Sequence, residues 1–296
     1  MGAVLPEHEN RLALPHTNPP HTLLIEPAVR RALEEDLGRA GDITTDAILP
    51  AGQMARAVIA AREPGVICGL IAADFAFRLI DPAIRLRPHL PDGSEVIKGQ
   101  TIAALEGPAR AILTAERVAL NFMGHLSGVA TATHELVSRV AGTHARIICT
   151  RKTIPGLRVL EKYAVRCGGG LNHRFGLDDA VLVKDNHIAA AGGIEAVVRA
   201  LRGRLGPMVK IEIEVDTLEQ LETALGLGLD AILLDNMPPE TMKRAVAMTK
   251  GRAKLEASGG VTLERVRAIA ESGVDYISSG AITHSARNLD LGLDFL

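Results

Sequence analysis

The sequence predicts an α/β chain in two parts, an α+β region followed by parallel strands that alternate with helices. Three observations carry this. Six short apolar stretches recur through the second half, the later ones about every 22 residues, with a helical pattern after most of them. Their spacing is even and no GxGxxG follows any of them, which favours a barrel over an open doubly wound sheet. The first ~110 residues instead mix helical segments with alternating, hairpin-like ones.

In chain order, the Pro-, His- and Asn-containing "MGAVLPEHENRLALPHTNPPH" has neither a basic nor an apolar signal region and reads as a mobile leader over residues 1–22. "PAVRRALEEDLG" predicts a helix from Pro27 that stops at Gly38. "GDITTDAILP" reads as a turn and a short extended piece, "MARAVIAAREPGVICG" as strand, and "ADFAFRLI" as helix. "IRLRPHLPDGSEVIKGQTIAALEG" reads as short strands joined at Asp92-Gly93 and Lys98-Gly99. A lysine at a hairpin turn also suits a lipoyl or biotinyl carrier, but Lys98 lacks the neighbours such carriers show and reads as solvated. A long helix is expected from Thr114 as N-cap, with Arg117 in its first turn. A cation there opposes the helix dipole, so Arg117 is either screened by Glu116 or aimed at an anion.

The six strands are "RIICT" (146–150), "AVLVK" (180–184), "VKIEIEV" (209–215), "AILLD" (231–235), "KLEAS" (254–258) and "YISSG" (276–280). Helices are expected between them in "GIEAVVRALRGRL", "TLEQLETALGLG", "PETMKRAVAMTK" and "TLERVRAIAESG".

Composition excludes several functions. The 296 residues are 47% hydrophobic, enough for a large core, and 23% charged with a net charge of -2. A basic nucleic-acid surface is not indicated, and with 2% aromatics and no Trp neither is a base-stacking platform. No apolar run is long enough to span a membrane. Cys68, Cys149 and Cys167 are odd in number and form no CxxC pair, so they read as reduced thiols of a cytoplasmic protein. Cys167 either packs at a helix end or is a reactive thiol. No histidine spacing suits zinc.

Active sites of βα barrels lie at the carboxyl ends of the strands. Here those ends sort by charge. The first two strands and their loops supply Arg151, Lys152, His173, Arg174 and Lys184. The next two supply acids: Glu212 or Glu214, of which Glu214 is nearer the end, and Asp235. The last two end in Ser258-Gly259-Gly260 and Ser279-Gly280-Ala281. Clustered cations suit a di- or tricarboxylate. Carboxylates suit Mg²⁺ or sugar hydroxyls. Gly-rich turns expose N–H groups to a phosphate. The set describes a site for two anionic substrates, one of them a metal-bound phosphate.

"TRKTIPGLRVLEKYAVRCGGGLNHRFGLDDAVLVKDNHI" closely resembles the signature of the quinolinate phosphoribosyltransferases, as do "GDITT", "TAERVALNFMGHLSG", "LLDNM", "EASGG" and "SSGAITHS", in the family's order over roughly residues 23–296. The resemblance implies an incomplete (β/α) barrel of about six to seven parallel strands, residues 127–284. It also implies an N-terminal α+β sandwich domain, residues 23–126, joined by the C-terminal segment 285–296. It implies transfer of the phosphoribosyl group of phosphoribosyl pyrophosphate (PRPP) to quinolinate with loss of CO₂, giving nicotinate mononucleotide in NAD synthesis. Quinolinate binding falls on Arg117, Arg151, Lys152, Thr153, His173, Arg174 and Lys184. PRPP falls on Ser258 to Gly260 and Ser279 to Ala281. Lys184, Glu214 and Asp235 would be catalytic, with Mg²⁺ held by Glu214 and Asp235, either directly or through PRPP or water. The resemblance further implies a homodimer in which Arg117 completes the partner's site, with assembly into hexamers left open. The alternatives are a paralogue of the kind encoded with molybdenum-transport genes, which would lose the dicarboxylate cluster, and a non-catalytic carboxylate or sugar-phosphate sensor, which would not need the acids.

Overall fold

The computed structural model describes residues 18–296, so the first 17 positions of the expected leader lie outside the described residues. Helix α1 (Thr22–Leu37) begins five residues before Pro27, which sits inside it. Ile25, Val29 and Leu33, spaced by four, are buried along one stripe, and that stripe carries the helix through the proline. Gly38 ends it at φ 52. "ITTDAI" is helix α2 (Ile43–Ile48) and not the expected extended piece. Asp42 caps it, its Oδ1 accepting from the Thr45 N–H at 2.9 Å.

Next come β1 (Met54–Ala61), β2 (Gly65–Val66), α3 (Leu70–Ile80), β3 (Arg85–Pro88), β4 (Glu95–Val96), β5 (Thr101–Pro108) and α4 (Ala109–Arg139). Lys98 is exposed in the turn between β4 and β5. Helix α4 starts five residues earlier than expected, directly after Pro108. Thr114 is inside it and bonds the Arg110 carbonyl at 2.9 Å, so it is not the cap. Arg117 is therefore in the third turn, beyond the reach of the end dipole, and that part of the sequence argument falls. Buried alanines and Ile112 extend the apolar face back to Ala109, which is why the helix begins there.

The second half contains β6 (Arg146–Ile148), α5 (Arg158–Cys167), β7 (Val181–Val183), α6 (Asp185–Ala191), α7 (Ile194–Arg202), β8 (Ile211–Val215), α8 (Leu218–Leu225), β9 (Ala231–Asp235), α9 (Pro239–Thr249), β10 (Lys254–Ser258), α10 (Val266–Glu271), β11 (Tyr276–Ser278), α11 (Ala281–His284) and β12 (Leu291–Phe295). All six expected strands are present and parallel, in the order β6-β11-β10-β9-β8-β7. Between the two outer strands only a one-residue bridge forms, Leu171 to Ile148 in β6. The barrel is thus incomplete on the side of β7.

Strand β12 leaves the barrel and pairs antiparallel with β1, giving a sheet of order β12-β1-β5-β3. Helix α3 packs on α4, and α1 on both. The long α4 runs from this layer to the barrel, where it meets α5. Gly168, after α5, passes so close to α4 that a Cβ would run into the Ala130 carbonyl. The "GGG" run is thereby needed to bring the loop with His173 and Arg174 back over the strand ends. The three cysteines are buried.

Candidate active site

Side chains alternate across a strand, and in-register parallel neighbours share a face. Ser258 of β10 pairs with Asp235 of β9 and Ser278 of β11. Two residues earlier, Glu256 pairs with Leu233. These five side chains therefore point inward together, and all line one cavity of about 770 Å³ at the carboxyl ends of the strands. Thr150, Arg151, Lys152, His173, Arg174, Lys184, Glu214, Gly259, Gly260, Ser279, Gly280 and Ala281 line it too. Of the expected site residues, only Arg117 and Thr153 are outside its wall. Arg117 is exposed on α4. Thr153 faces α5, its Oγ1 accepting from Arg158 Nε at 3.0 Å.

Several cations line the cavity. The Arg151 Nε is buried with no hydrogen-bond partner among the described residues. Burial, and then the neighbouring Arg151 charge, lower the Arg174 pKa. Two guanidiniums held this way are stabilised by an anion between them. His173 is held from both ring nitrogens: Nδ1 is 2.7 Å from the Arg174 N–H, and Nε2 is 2.8 Å from Glu212 and 3.4 Å from Glu256. Burial favours the neutral ring, but these two carboxylates overcome it and raise the pKa to about 10. A second ring proton requires Nδ1 to give up the Arg174 contact.

The acids divide by role. Glu212 is buried and occupied with His173. Glu214 faces the cavity, with Lys184 Nζ at 3.3 Å. Burial raises the Glu214 pKa, Lys184 opposes this, and the charge of Asp235 adds to the rise. Glu214 and Asp235 thus sit near each other at the ends of adjacent strands. Both offer hard oxygen donors of the kind Mg²⁺ prefers. His173, Glu212 and Glu256 form a second group with ligand atoms within 4.8 Å of one another, in which His173 Nε2 is already engaged with Glu212.

The two glycine turns line the same cavity. Gly259 has φ +92, and a Cβ there would run into the Asn236 side chain. Asn236 is itself left-handed at φ 51 and donates to Asp235 at 2.7 Å. The buried Ser278 hydroxyl has no hydrogen-bond partner among the described residues. Lys152 packs over Gly280, so a cation stands directly on one of the turns.

Sequence reasoning missed Glu161, Lys162, Glu256 and Ser278. An acid in the middle of a short parallel strand, as in "KLEAS", was a usable signal, because such strands are buried on both faces. Glu161 and Lys162 gave none, since charges on an amphipathic helix normally mark its wet side.

The arrangement is that of an α/β-barrel enzyme acting on two anions. Models of the quinolinate phosphoribosyl transferase N-terminal and C-terminal domains match residues 42–127 and 129–294. A nicotinate-nucleotide pyrophosphorylase [carboxylating] of Mycobacterium leprae is 47% identical over 274 residues, covering 90% of this chain and 95% of that protein. A probable enzyme of the same name from Bacillus subtilis is 46% identical over 260 residues, covering 88% and 89%. The solved nicotinate-nucleotide pyrophosphorylase of Francisella tularensis superposes with a TM-score of 0.90 at 39% identity, covering 95% of this chain and 99% of that one. The chain belongs to the quinolinate phosphoribosyltransferase family.

Proposed function

We infer that this protein transfers the phosphoribosyl group of PRPP to quinolinate, releasing pyrophosphate and CO₂ and forming nicotinate mononucleotide for NAD synthesis. The observation that carries this is one cavity lined together by four cationic side chains, two carboxylates at strand ends and two glycine turns, in a chain of this family.

The two carboxylates of quinolinate dock on Arg151, Lys152, His173 and Arg174. The unpartnered Arg151 Nε supports this placement, since a carboxylate would satisfy it. The phosphoribosyl donor lies beside quinolinate, its 5-phosphate on Ser258 to Gly260 and Ser279 to Ala281, which line the same cavity. Glu214 and Asp235 hold the ribose side and would hold Mg²⁺, which neutralises pyrophosphate charge when bound. As the pyridine nitrogen bonds the anomeric carbon, pyrophosphate departs and the sugar passes through oxocarbenium character. Glu214 and Asp235 stabilise that positive charge, and Lys184 the growing negative charge of the leaving group. The ring nitrogen is then cationic, so the electron pair left at the adjacent carbon when CO₂ departs is stabilised, and that carbon takes up a proton.

The second part of the reading is a homodimer in which Arg117 of the partner subunit completes the dicarboxylate site. Its exposure on α4, away from its own chain's cavity, supports this.

Release of labelled CO₂ from quinolinate carboxyl-labelled beside the ring nitrogen tests the function. CO₂ and pyrophosphate should appear in equal amounts, only with PRPP present. Phosphoribosyl transfer without CO₂ would replace quinolinate by another acceptor.

A further inference from the structure

We propose that α5 sets the spacing between the two cationic loops, through Arg158, Glu161 and Lys162. These three are then positioning residues for the dicarboxylate. The proposal rests on the reading above that Arg151, Lys152, His173 and Arg174 bind quinolinate.

Glu161 and Lys162 are consecutive, carry opposite charges and are both 0% exposed. Burying a carboxylate or an ammonium is unfavourable unless it is fully used in polar contacts. Each of these is used on one loop. The Glu161 Oε2 accepts from the Ile154 N–H at 3.1 Å, holding the segment that carries Arg151 and Lys152. Its Oε1 is anchored 2.8 Å from His125 Nε2 of α4. The Lys162 ammonium donates to the His173 carbonyl at 3.0 Å, holding the other loop at the residue before Arg174. Its second contact, 3.0 Å to Cys149 Sγ, ties that loop to the end of β6.

Arg158, one turn earlier, spans both loops. Its Nε donates to Thr153 Oγ1 at 3.0 Å and its Nη2 reaches the Arg151 carbonyl at 3.4 Å. Its Nη1 donates to the Phe175 carbonyl at 3.2 Å. Neither loop is a regular strand, and the barrel wall between β6 and β7 is reduced to the Leu171 bridge. Sheet pairing there is too short to fix how far apart the loops stand. One rigid helix bonded to both can fix it, and with it the bite for two adjacent carboxylates. None of the three residues lines the cavity.

The test is steady-state kinetics with quinolinate and PRPP varied separately, and melting temperature as a control. Lys162→Met keeps the chain length and removes the loop bond. Glu161→Met removes both Glu161 contacts, whereas Glu161→Gln keeps an acceptor for Ile154. Arg158→Gln serves as the milder variant should the buried changes prevent folding, because Arg158 is only half-buried. Folded Lys162→Met, Glu161→Met and Arg158→Gln should raise the KM for quinolinate roughly ten- to a hundredfold, with the KM for PRPP within about twofold. Glu161→Gln should stay near wild type. Equal rises for both substrates, or no rise for quinolinate in the folded variants while Arg151→Ala raises it, would overturn the proposal. If Arg151→Ala itself leaves the quinolinate KM unchanged, the site assignment fails, and this proposal fails with it.

Discussion

Lys184 Nζ lies 3.3 Å from Glu214 Oε2, joining the ends of β7 and β8 across the cavity mouth. Lys184 is the more exposed partner, at 51% against 13%, so this pair adds little to folding stability. Its value lies in keeping Glu214 ionised. Burial raises the Glu214 pKa and Lys184 pulls it down, so removing the lysine raises it further. A carboxylate with a higher pKa needs a higher pH to ionise. Lys184→Met should therefore move the acid limb of the pH–kcat profile upward. It should also lower kcat on the order of 10²-fold through loss of a charge at the leaving group. An unshifted acid limb would remove Glu214 as the group that sets it.

Arg151 should trade stability for binding. Its buried Nε has no partner and its charge faces Arg174. Arg151→Met should leave the melting temperature equal to or above wild type, because both costs disappear. The KM for quinolinate should rise by a factor of ten or more, as expected for about 1.5–3 kcal/mol of lost charged hydrogen bonding. A variant that melts lower and binds normally would make Arg151 a structural residue.

Substitution at Gly259 should distinguish the two substrates. At φ +92 and against Asn236 it cannot take a Cβ without displacing the turn. Gly259→Ala should raise the KM for PRPP well above that for quinolinate. Equal effects would mean that the turn does not serve the phosphate alone.

Arg117 and Arg174 should complement each other. Arg117→Ala and Arg174→Ala homodimers should each be nearly inactive, whereas a mixed dimer regains one site with both arginines. After confirmed subunit exchange, activity should recover toward about a quarter of wild type, since half the dimers are mixed and each has one whole site. No recovery would confine each site to a single chain.

The barrel strands were legible because short apolar runs at even spacing leave few other folds, and their ends were legible because polar residues follow each run directly. Helix ends were less so. Pro27 and Thr114 carry strong local start signals, yet tertiary burial of Ile25 and of Ala109 to Ile112 extends both helices past them. Asp42 was readable as a cap for α2 but was overshadowed by the threonines after it. Helix α6 follows β7 without a loop, so its "DNHIAAA" merged with the site motif. Within the site, the residues that face the cavity could be named from strand ends. Two that hold them, Glu161 and Lys162, depend on which loops fold back over α5, and no local pattern records that.

A structure with quinolinate bound tests the central claim most directly. Both carboxylates should lie between the Arg151–Lys152 loop and the His173–Arg174 loop, with the Arg151 Nε paired and the ring nitrogen facing Glu214 and Asp235. Quinolinate seated instead on the Ser258–Gly260 and Ser279–Ala281 turns, with the Arg151 Nε still alone, would contradict it.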